Sequence, residues 1–130
     1  MLLWTSLVTL LAIALYFATG LRVSGARGRF GVKAPATTGD PNFERVFRVQ
    51  QNMLEWMPIF LPSLWMFAVY VADVWAAAIG LLWLAGRVLY IRDYSEAAEA
   101  RGRGFAIQAT AAGVLFFGAF IGVLWRMFAA

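Results

Sequence analysis

The amino-acid sequence predicts an all-α integral membrane protein that folds as a bundle of four transmembrane helices. Three observations support this fold class. Of the 130 residues, 62% are hydrophobic and only 14% are charged, whereas roughly a quarter of the residues of a soluble domain are charged. The chain contains long uncharged stretches, and most of its basic residues form two groups between them. The length indicates one domain, residues 1–130.

The four helices are predicted at about residues 2–24, 42–72, 74–95 and 103–127. About 20 helical residues span roughly 30 Å, which is enough to cross the hydrocarbon core of a bilayer. Residues 2–21 are uncharged and lack the basic start of a cleaved signal peptide. A transmembrane helix is therefore favoured over a signal peptide at this end of the chain.

Local signals mark the second helix. Asp40 or Asn42 is expected to cap its N-terminus, with Pro41 in the first turn. Pro58 and Pro62 lie within it and are expected to kink it, because each removes a backbone hydrogen bond.

Charge placement predicts the topology. Ten of the eleven basic residues lie in or beside the connections between helices one and two and between helices three and four, and only Arg126 lies at the opposite end. The positive-inside rule makes the side with these two connections cytoplasmic. The pI of about 10.1 therefore reflects topology rather than nucleic-acid binding, since no basic helix or RNA-binding motif occurs in a soluble segment. The expected location is a bacterial inner membrane.

The sequence contains no cysteine and no histidine. This excludes disulfides and thiolate ligands, and it removes the commonest metal ligand and general base. No metal site is predicted. Any chemistry must depend on arginine, tyrosine, carboxylates or groups that the ligand supplies.

Three polar residues of the second helix share one face. Arg48, Asn52 and Glu55 are spaced i, i+4 and i+7. Ionisable groups within a membrane are costly, so they normally face a bundle interior or a wet cavity and pair there. The set predicts either a functional site or an ion pair of Arg48 and Glu55 with Arg87 that only fixes helix packing.

The third helix carries a second set at helical spacing. It consists of Arg87, Tyr90, Tyr94 and Arg101, provided that the helix continues that far. The alternative for the two tyrosines is an aromatic belt at the membrane interface. Four further charged residues of this region, Arg92, Asp93, Glu96 and Glu99, are interpreted as a solvated, self-paired face.

Together, the two sets describe a half-buried cationic pocket with one carboxylate and two phenols. Such a pocket suits a small, multiply anionic ligand that also carries an amine. Arginine binds carboxylates through two parallel hydrogen bonds, and Glu55 is expected to bind the ammonium. At the membrane interface, this pocket lets a water-soluble ligand meet a lipid-dissolved one.

The chain resembles the MAPEG proteins, the membrane-associated proteins in eicosanoid and glutathione metabolism. The resemblance covers about residues 20–104 and depends mainly on Arg-x3-Asn-x2-Glu at 48–55 and Arg-x2-Tyr-x3-Tyr at 87–94. It implies a homotrimer with glutathione bound between neighbouring subunits. It also implies a glutathione transferase or peroxidase that acts in detoxification on lipophilic electrophiles or lipid hydroperoxides. The alternative within the family is a non-catalytic lipid-binding scaffold like the five-lipoxygenase-activating protein.

The resemblance further implies which residues bind glutathione. These are Arg27, Arg48, Gln50, Asn52, Glu55, Tyr90, Tyr94 and Arg101. Two positions depart from leukotriene-synthase-like members: Trp56 replaces a frequent tyrosine, and Gly28 replaces the arginine taken to activate the thiol. Either Arg29 or Arg101 is expected to be the catalytic residue instead. A nearby guanidinium favours the thiolate of a thiol whose ordinary pKa is about 8.5.

Overall fold

The computed structural model describes residues 1–129, and that part of the chain is entirely helical apart from its connections. The helices are α1 (Leu3–Phe30), α2 (Pro41–Tyr70), α3 (Asp73–Glu96) and α4 (Gly102–Phe128), with a 3-10 turn at Ala98–Arg101 between α3 and α4. All four are long and apolar enough to cross a membrane. The predicted all-helical architecture with four membrane-length helices is confirmed.

The first helix is longer than expected. α1 ends at Phe30 rather than near residue 24, and Gly25 and Gly28 lie inside it. An internal glycine costs a helix only about 1 kcal/mol relative to alanine, which tertiary packing readily offsets. Gly31 follows the last helical residue as the C-cap. Its φ of 68° is left-handed, and its N–H donates to the carbonyl of Arg27. Glycine adopts this conformation without steric cost, so it sets the end of α1.

The start of α2 has the expected cap. The side chain of Asp40 accepts a hydrogen bond from the Asn42 N–H at 2.8 Å, and Pro41 occupies the first helical position. The helix then continues through both Pro58 and Pro62 to Tyr70.

An acidic residue of α3 caps the N-terminus of α1. The Asp73 carboxylate accepts hydrogen bonds from the Thr5 N–H at 2.9 Å, the Thr5 hydroxyl at 2.6 Å and the Trp4 N–H at 3.2 Å. The first N–H groups of a helix have no partner within it. Asp73 therefore acts as a cap supplied by another helix, and it holds the starts of α1 and α3 together.

Two glycines bring α3 and α4 into close contact. A Cβ added to Gly104 would lie 2.4 Å from the backbone nitrogen of Tyr90, and one added to Gly86 would lie 2.7 Å from that of Gln108. Deeper in the bundle, the rings of Phe60 and Trp83 stack with centroids 3.8 Å apart. The close contact at Gly104 places the start of α4 directly against Tyr90, which belongs to the candidate site.

Candidate functional site

Two of the predicted residues on α2 form an ion pair. Arg48 Nη1 lies 3.1 Å from Glu55 Oε1, and the two side chains are 53% and 55% exposed. The pair spans two turns of one helix face, as the i, i+7 spacing requires. Both charges are therefore accessible to a ligand in this chain.

The third predicted residue of this face is bound to a different helix. Asn52 Oδ1 accepts a hydrogen bond of 2.7 Å from Nη1 of Arg87, which is completely buried. The expected alternative of a packing ion pair that joins Arg87 to Arg48 and Glu55 is therefore wrong. The Arg87 guanidinium is directed to a neutral amide because Asn52 lies one turn before Glu55, closer to the bundle interior.

Four side chains near the end of α3 form a continuous stack. The Arg87 guanidinium lies 4.5 Å from the ring centroid of Tyr90, and the rings of Tyr90 and Tyr94 stack at 5.4 Å. The Arg101 guanidinium lies 5.7 Å from the ring centroid of Tyr94. Because Tyr90 is only 3% exposed, it is not a residue of an interfacial aromatic belt.

Arg101 reaches the stack by a route that helical spacing does not predict. α3 ends at Glu96, close to the predicted end at about residue 95, so the condition under which Arg101 would follow the helical spacing is not met. The 3-10 turn at Ala98–Arg101 reverses the chain and returns Arg101 to Tyr94. A tight turn, rather than helix periodicity, brings these two residues together.

A cavity of about 410 Å³ adjoins Arg48 at this end of the bundle, and Glu55 is not one of its lining residues. Its lining comes from the α1–α2 loop, the start of α2 and the end of α3: Thr37, Pro41, Glu44, Arg45, Phe47, Arg48 and Tyr94. Two of the predicted residues, Arg48 and Tyr94, thus face one space from different helices. Glu44 and Arg45 were not predicted as site residues, although Arg45 lies close to the predicted face in sequence.

The remaining predicted residues lie on the α1 side of the chain. Gln50 lines a separate cavity against α1, beside Tyr16 and Gly20. The guanidinium of Arg27 donates to the carbonyl of Ala36 at 2.7 Å and lies 5.0 Å from the ring centroid of Phe43. Gln50 therefore lies in a different cavity from Arg48, whereas Arg27 lines neither cavity but binds Ala36, which precedes the lining residue Thr37.

The end of α1 also carries the first of the two candidate catalytic arginines. Arg29 is exposed, with its guanidinium 5.2 Å from the ring centroid of Phe30. Gly28 faces open space, since no atom of the described chain lies within 4 Å of an added Cβ. Within the chain, only Arg101 of the two candidates lies against a residue that lines the cavity.

Asp93 lies in a different environment from the solvated face that the sequence predicts. Asp93 is 7% exposed, and its carboxylate lies 2.7 Å from Nε of Arg103 and 3.4 Å from Nε of Arg92. The predicted pairing within this face is confirmed for Arg92 and Asp93. The prediction that Asp93 is solvated is wrong, because the α3–α4 turn folds Arg103 back over it. An acid and a base ten residues apart across a turn have no periodic signal in the sequence.

The chain matches a known protein family over most of its length. The MAPEG family matches residues 3–121 of the chain. The chain belongs to the MAPEG family. The resemblance recognised in the two motifs is therefore confirmed, and so is the assignment to a class of multi-pass membrane proteins.

One relative of this MAPEG protein can be aligned with nearly its whole length. An uncharacterised protein from Synechocystis is 47% identical over 126 residues, which is 97% of this chain and 92% of the relative. Human microsomal glutathione S-transferase 2 is 50% identical over 93 residues, and bovine leukotriene C4 synthase is 40% identical over 94 residues. Each of these two alignments covers 72% of this chain, but only 62% and 63% of the respective relative.

Proposed function

We propose that this MAPEG protein is a membrane-bound glutathione transferase that binds glutathione as co-substrate and activates its thiol. The observation that carries the proposal is the half-exposed ion pair of Arg48 and Glu55. Arg48 of this pair lines a cavity that Tyr94 also lines, and the Arg101 guanidinium lies over the Tyr94 ring. Similarity to a microsomal glutathione S-transferase and a leukotriene synthase supports the same activity.

The ion pair matches the charges of glutathione. Glutathione carries two carboxylates and one ammonium, so Arg48 binds a carboxylate and Glu55 binds the ammonium. An exposed ion pair contributes only about 0–1 kcal/mol, so exchanging each partner for a ligand group costs little. The unliganded pair therefore holds both side chains near their binding positions.

A guanidinium beside the thiol is sufficient for activation. It stabilises the thiolate, which is the nucleophilic form, while the proton leaves to water because the guanidinium is already protonated and cannot accept it. In conjugation, the sulfur attacks an electrophilic carbon and the leaving group departs. In peroxide reduction, two glutathione molecules convert a hydroperoxide to an alcohol and water and become a disulfide. Arg101 is the better candidate within one chain, because it lies beside the cavity.

We infer that three copies form a homotrimer with glutathione bound between neighbours. The division of the predicted residues supports this: Arg48 and Tyr94 line one side of the chain, and Gln50 lines another. A neighbouring subunit would bring Gln50 to the first group. We also propose that the charged connections and the site face the cytoplasm, as the positive-inside rule favours, and that the membrane is a bacterial inner membrane.

The test uses the purified protein in detergent. Glutathione is titrated calorimetrically, its thiolate absorbance is recorded, and turnover is measured with a chloronitrobenzene and with a lipid hydroperoxide. Saturable binding, a thiolate signal at neutral pH and conjugate formation are expected. If glutathione neither binds nor forms a thiolate, the enzyme proposal fails, and a non-catalytic lipid-binding scaffold becomes the better description.

A further inference from the structure

Arg87 is a buried charge without an acidic partner. It is 0% exposed, and none of the ion pairs among the described residues includes it. Its contacts are the amide oxygen of Asn52 and the ring faces of Trp83 and Tyr90, at 5.9 and 4.5 Å from the ring centroids. Burying a charge in this way is costly, and a charge inside a membrane bundle most often serves a function.

The hydrogen bond with Arg87 determines which group Asn52 can offer a ligand. A guanidinium has donors only, so the atom of the Asn52 amide that faces it must be the oxygen. This argument does not depend on telling oxygen from nitrogen in the coordinates. Asn52 is partly exposed and lies between Arg48 and Glu55 on their face of α2. Its NH₂ group is therefore the part available to the ligand, and Asn52 acts there as a donor.

The stack of Tyr90 and Tyr94 connects Arg87 to Arg101, the candidate catalytic residue. Arg87 lies over Tyr90, Tyr90 stacks on Tyr94, and Arg101 lies over Tyr94. Aromatic pairs and cation–π contacts each stabilise the position of the groups that they join. The backbone of Tyr90 is in addition packed closely against Gly104 of α4. The ring of Tyr94 thus holds the Arg101 guanidinium at the end of a short turn.

We propose that Arg87 is a positioning residue of the glutathione site. It holds the Asn52 amide so that its NH₂ group meets an acceptor of glutathione, and it anchors the Tyr90–Tyr94 stack that orients Arg101. The inference deepens the proposed function and rests on it. It assigns Arg87 no contact with the ligand, so its effects must pass through Asn52 and Arg101.

The first test is a double-mutant cycle on glutathione affinity. Arg87→Met and Asn52→Ala should each weaken binding by roughly tenfold, as expected for one lost hydrogen bond. The double variant should bind no more weakly than the poorer single variant, because both changes remove the same contact. Arg92→Met, at an exposed arginine of the same helix, is the control and should leave affinity unchanged. Losses that add in the double variant overturn the positioning role.

Two further variants separate positioning from folding. Arg87→Lys keeps the charge and the packed stem but cannot both reach Asn52 and cover Tyr90, so it should fold and still lose affinity. Asn52→Asp replaces the NH₂ donor by an acceptor and should bind glutathione more weakly than Asn52→Ala. Wild-type affinity in folded Arg87→Lys, or tighter binding by Asn52→Asp than by Asn52→Ala, contradicts the inference.

The second test concerns the stack. Tyr94→Phe keeps the ring on which the Arg101 guanidinium lies, so it should raise the pKa of the bound glutathione thiol less than Tyr94→Leu does. Tyr94→Leu removes the ring and should raise that pKa and lower kcat, as is expected for Arg101→Ala. Equal thiol pKa values in the Phe and Leu variants overturn the proposed link to Arg101.

The wild-type protein distinguishes the two levels of the proposal. If it binds glutathione and the Arg87 variants bind equally well, only the positioning role is wrong. If the wild type does not bind glutathione, the proposed function is wrong and the positioning role falls with it.

Discussion

At the residue scale, Arg48 and Glu55 keep opposite charges available within about two helical turns of each other. Each neutralises the other in the unliganded chain, yet more than half of each side chain is exposed. A ligand with a carboxylate and an ammonium at matching distance can bind both. Replacing one partner leaves the charge of the other in place. A variant at Arg48 should therefore lose the contact with a ligand carboxylate, and a variant at Glu55 the contact with the ligand ammonium.

We therefore expect Arg48→Ala and Glu55→Ala each to weaken glutathione binding by roughly ten- to hundredfold, since each removes a charge-assisted hydrogen bond. Calorimetric titration in detergent measures the effect. Lys33→Ala and Glu96→Ala are controls of matching charge, because both side chains are exposed, neither lines the cavity and neither belongs to the Arg48–Glu55 ion pair. Unchanged affinity in both site variants would remove the ion pair from the binding site.

The choice between Arg29 and Arg101 also belongs to this scale. The residue that stabilises the thiolate acts mainly in turnover, so its alanine variant should lower kcat more than it lowers affinity. We expect this for Arg101→Ala and not for Arg29→Ala, because Arg101 lies over Tyr94 while Arg29 lies over Phe30. Parallel measurements of kcat and glutathione affinity decide it, and the opposite pattern would assign activation to Arg29.

At the element scale, the α3–α4 contact determines the position of the site. Gly104 allows the start of α4 to lie against Tyr90, and Asp93 holds Arg103 across the same turn. The stack that ends at Arg101 is built on this contact. A change that separates the two helices should therefore affect both stability and turnover.

Gly104→Ala is expected to lower the melting temperature strongly, because its Cβ would lie 2.4 Å from the Tyr90 backbone nitrogen. A backbone atom cannot yield as a flexible side chain does, so the helices must move apart. Gly113→Ala on the same helix is the matched control, since no described atom lies within 4 Å of its Cβ. Thermal unfolding in detergent compares the two. Equal melting temperatures would show that the α3–α4 contact adapts without cost.

At the scale of the whole molecule, α1 presents much of its length outward. Exposed large apolar side chains of this helix include Leu10, Phe17 and Leu21. In a membrane, such a face contacts lipid or another subunit. The separation of Gln50 from the cavity with Arg48 favours a neighbouring subunit for part of it.

We expect the protein in mild detergent to have three times the mass of its 14.4 kDa protomer, as measured by native mass spectrometry. Mixing two variants gives a sharper test. Arg48→Ala and Gln50→Ala should each bind glutathione weakly when alone. When the two kinds of chain are combined, they should form mixed oligomers in which some sites contain neither change. Recovered glutathione binding supports a shared site, whereas a monomeric mass or no recovery contradicts it.

The sequence determined the features that depend on local properties of the chain. Uncharged length and the charge-rich connections identified four membrane helices, and Asp40 with Pro41 marked the start of α2. The spacing of Arg48, Asn52 and Glu55 placed them on one face, and the two motifs identified the MAPEG family. Each of these follows from helical rise and period or from cap chemistry, which a short segment carries in full.

Only the tertiary structure decided which partner each polar side chain takes. Arg87 binds Asn52 rather than joining Arg48 and Glu55, and Asp93 is buried under Arg103. Arg101 meets Tyr94 through a turn rather than along a helix. These contacts depend on which helix faces meet and how closely. That approach is set by glycines and turns far apart in the chain, so no periodic pattern in the sequence encodes it.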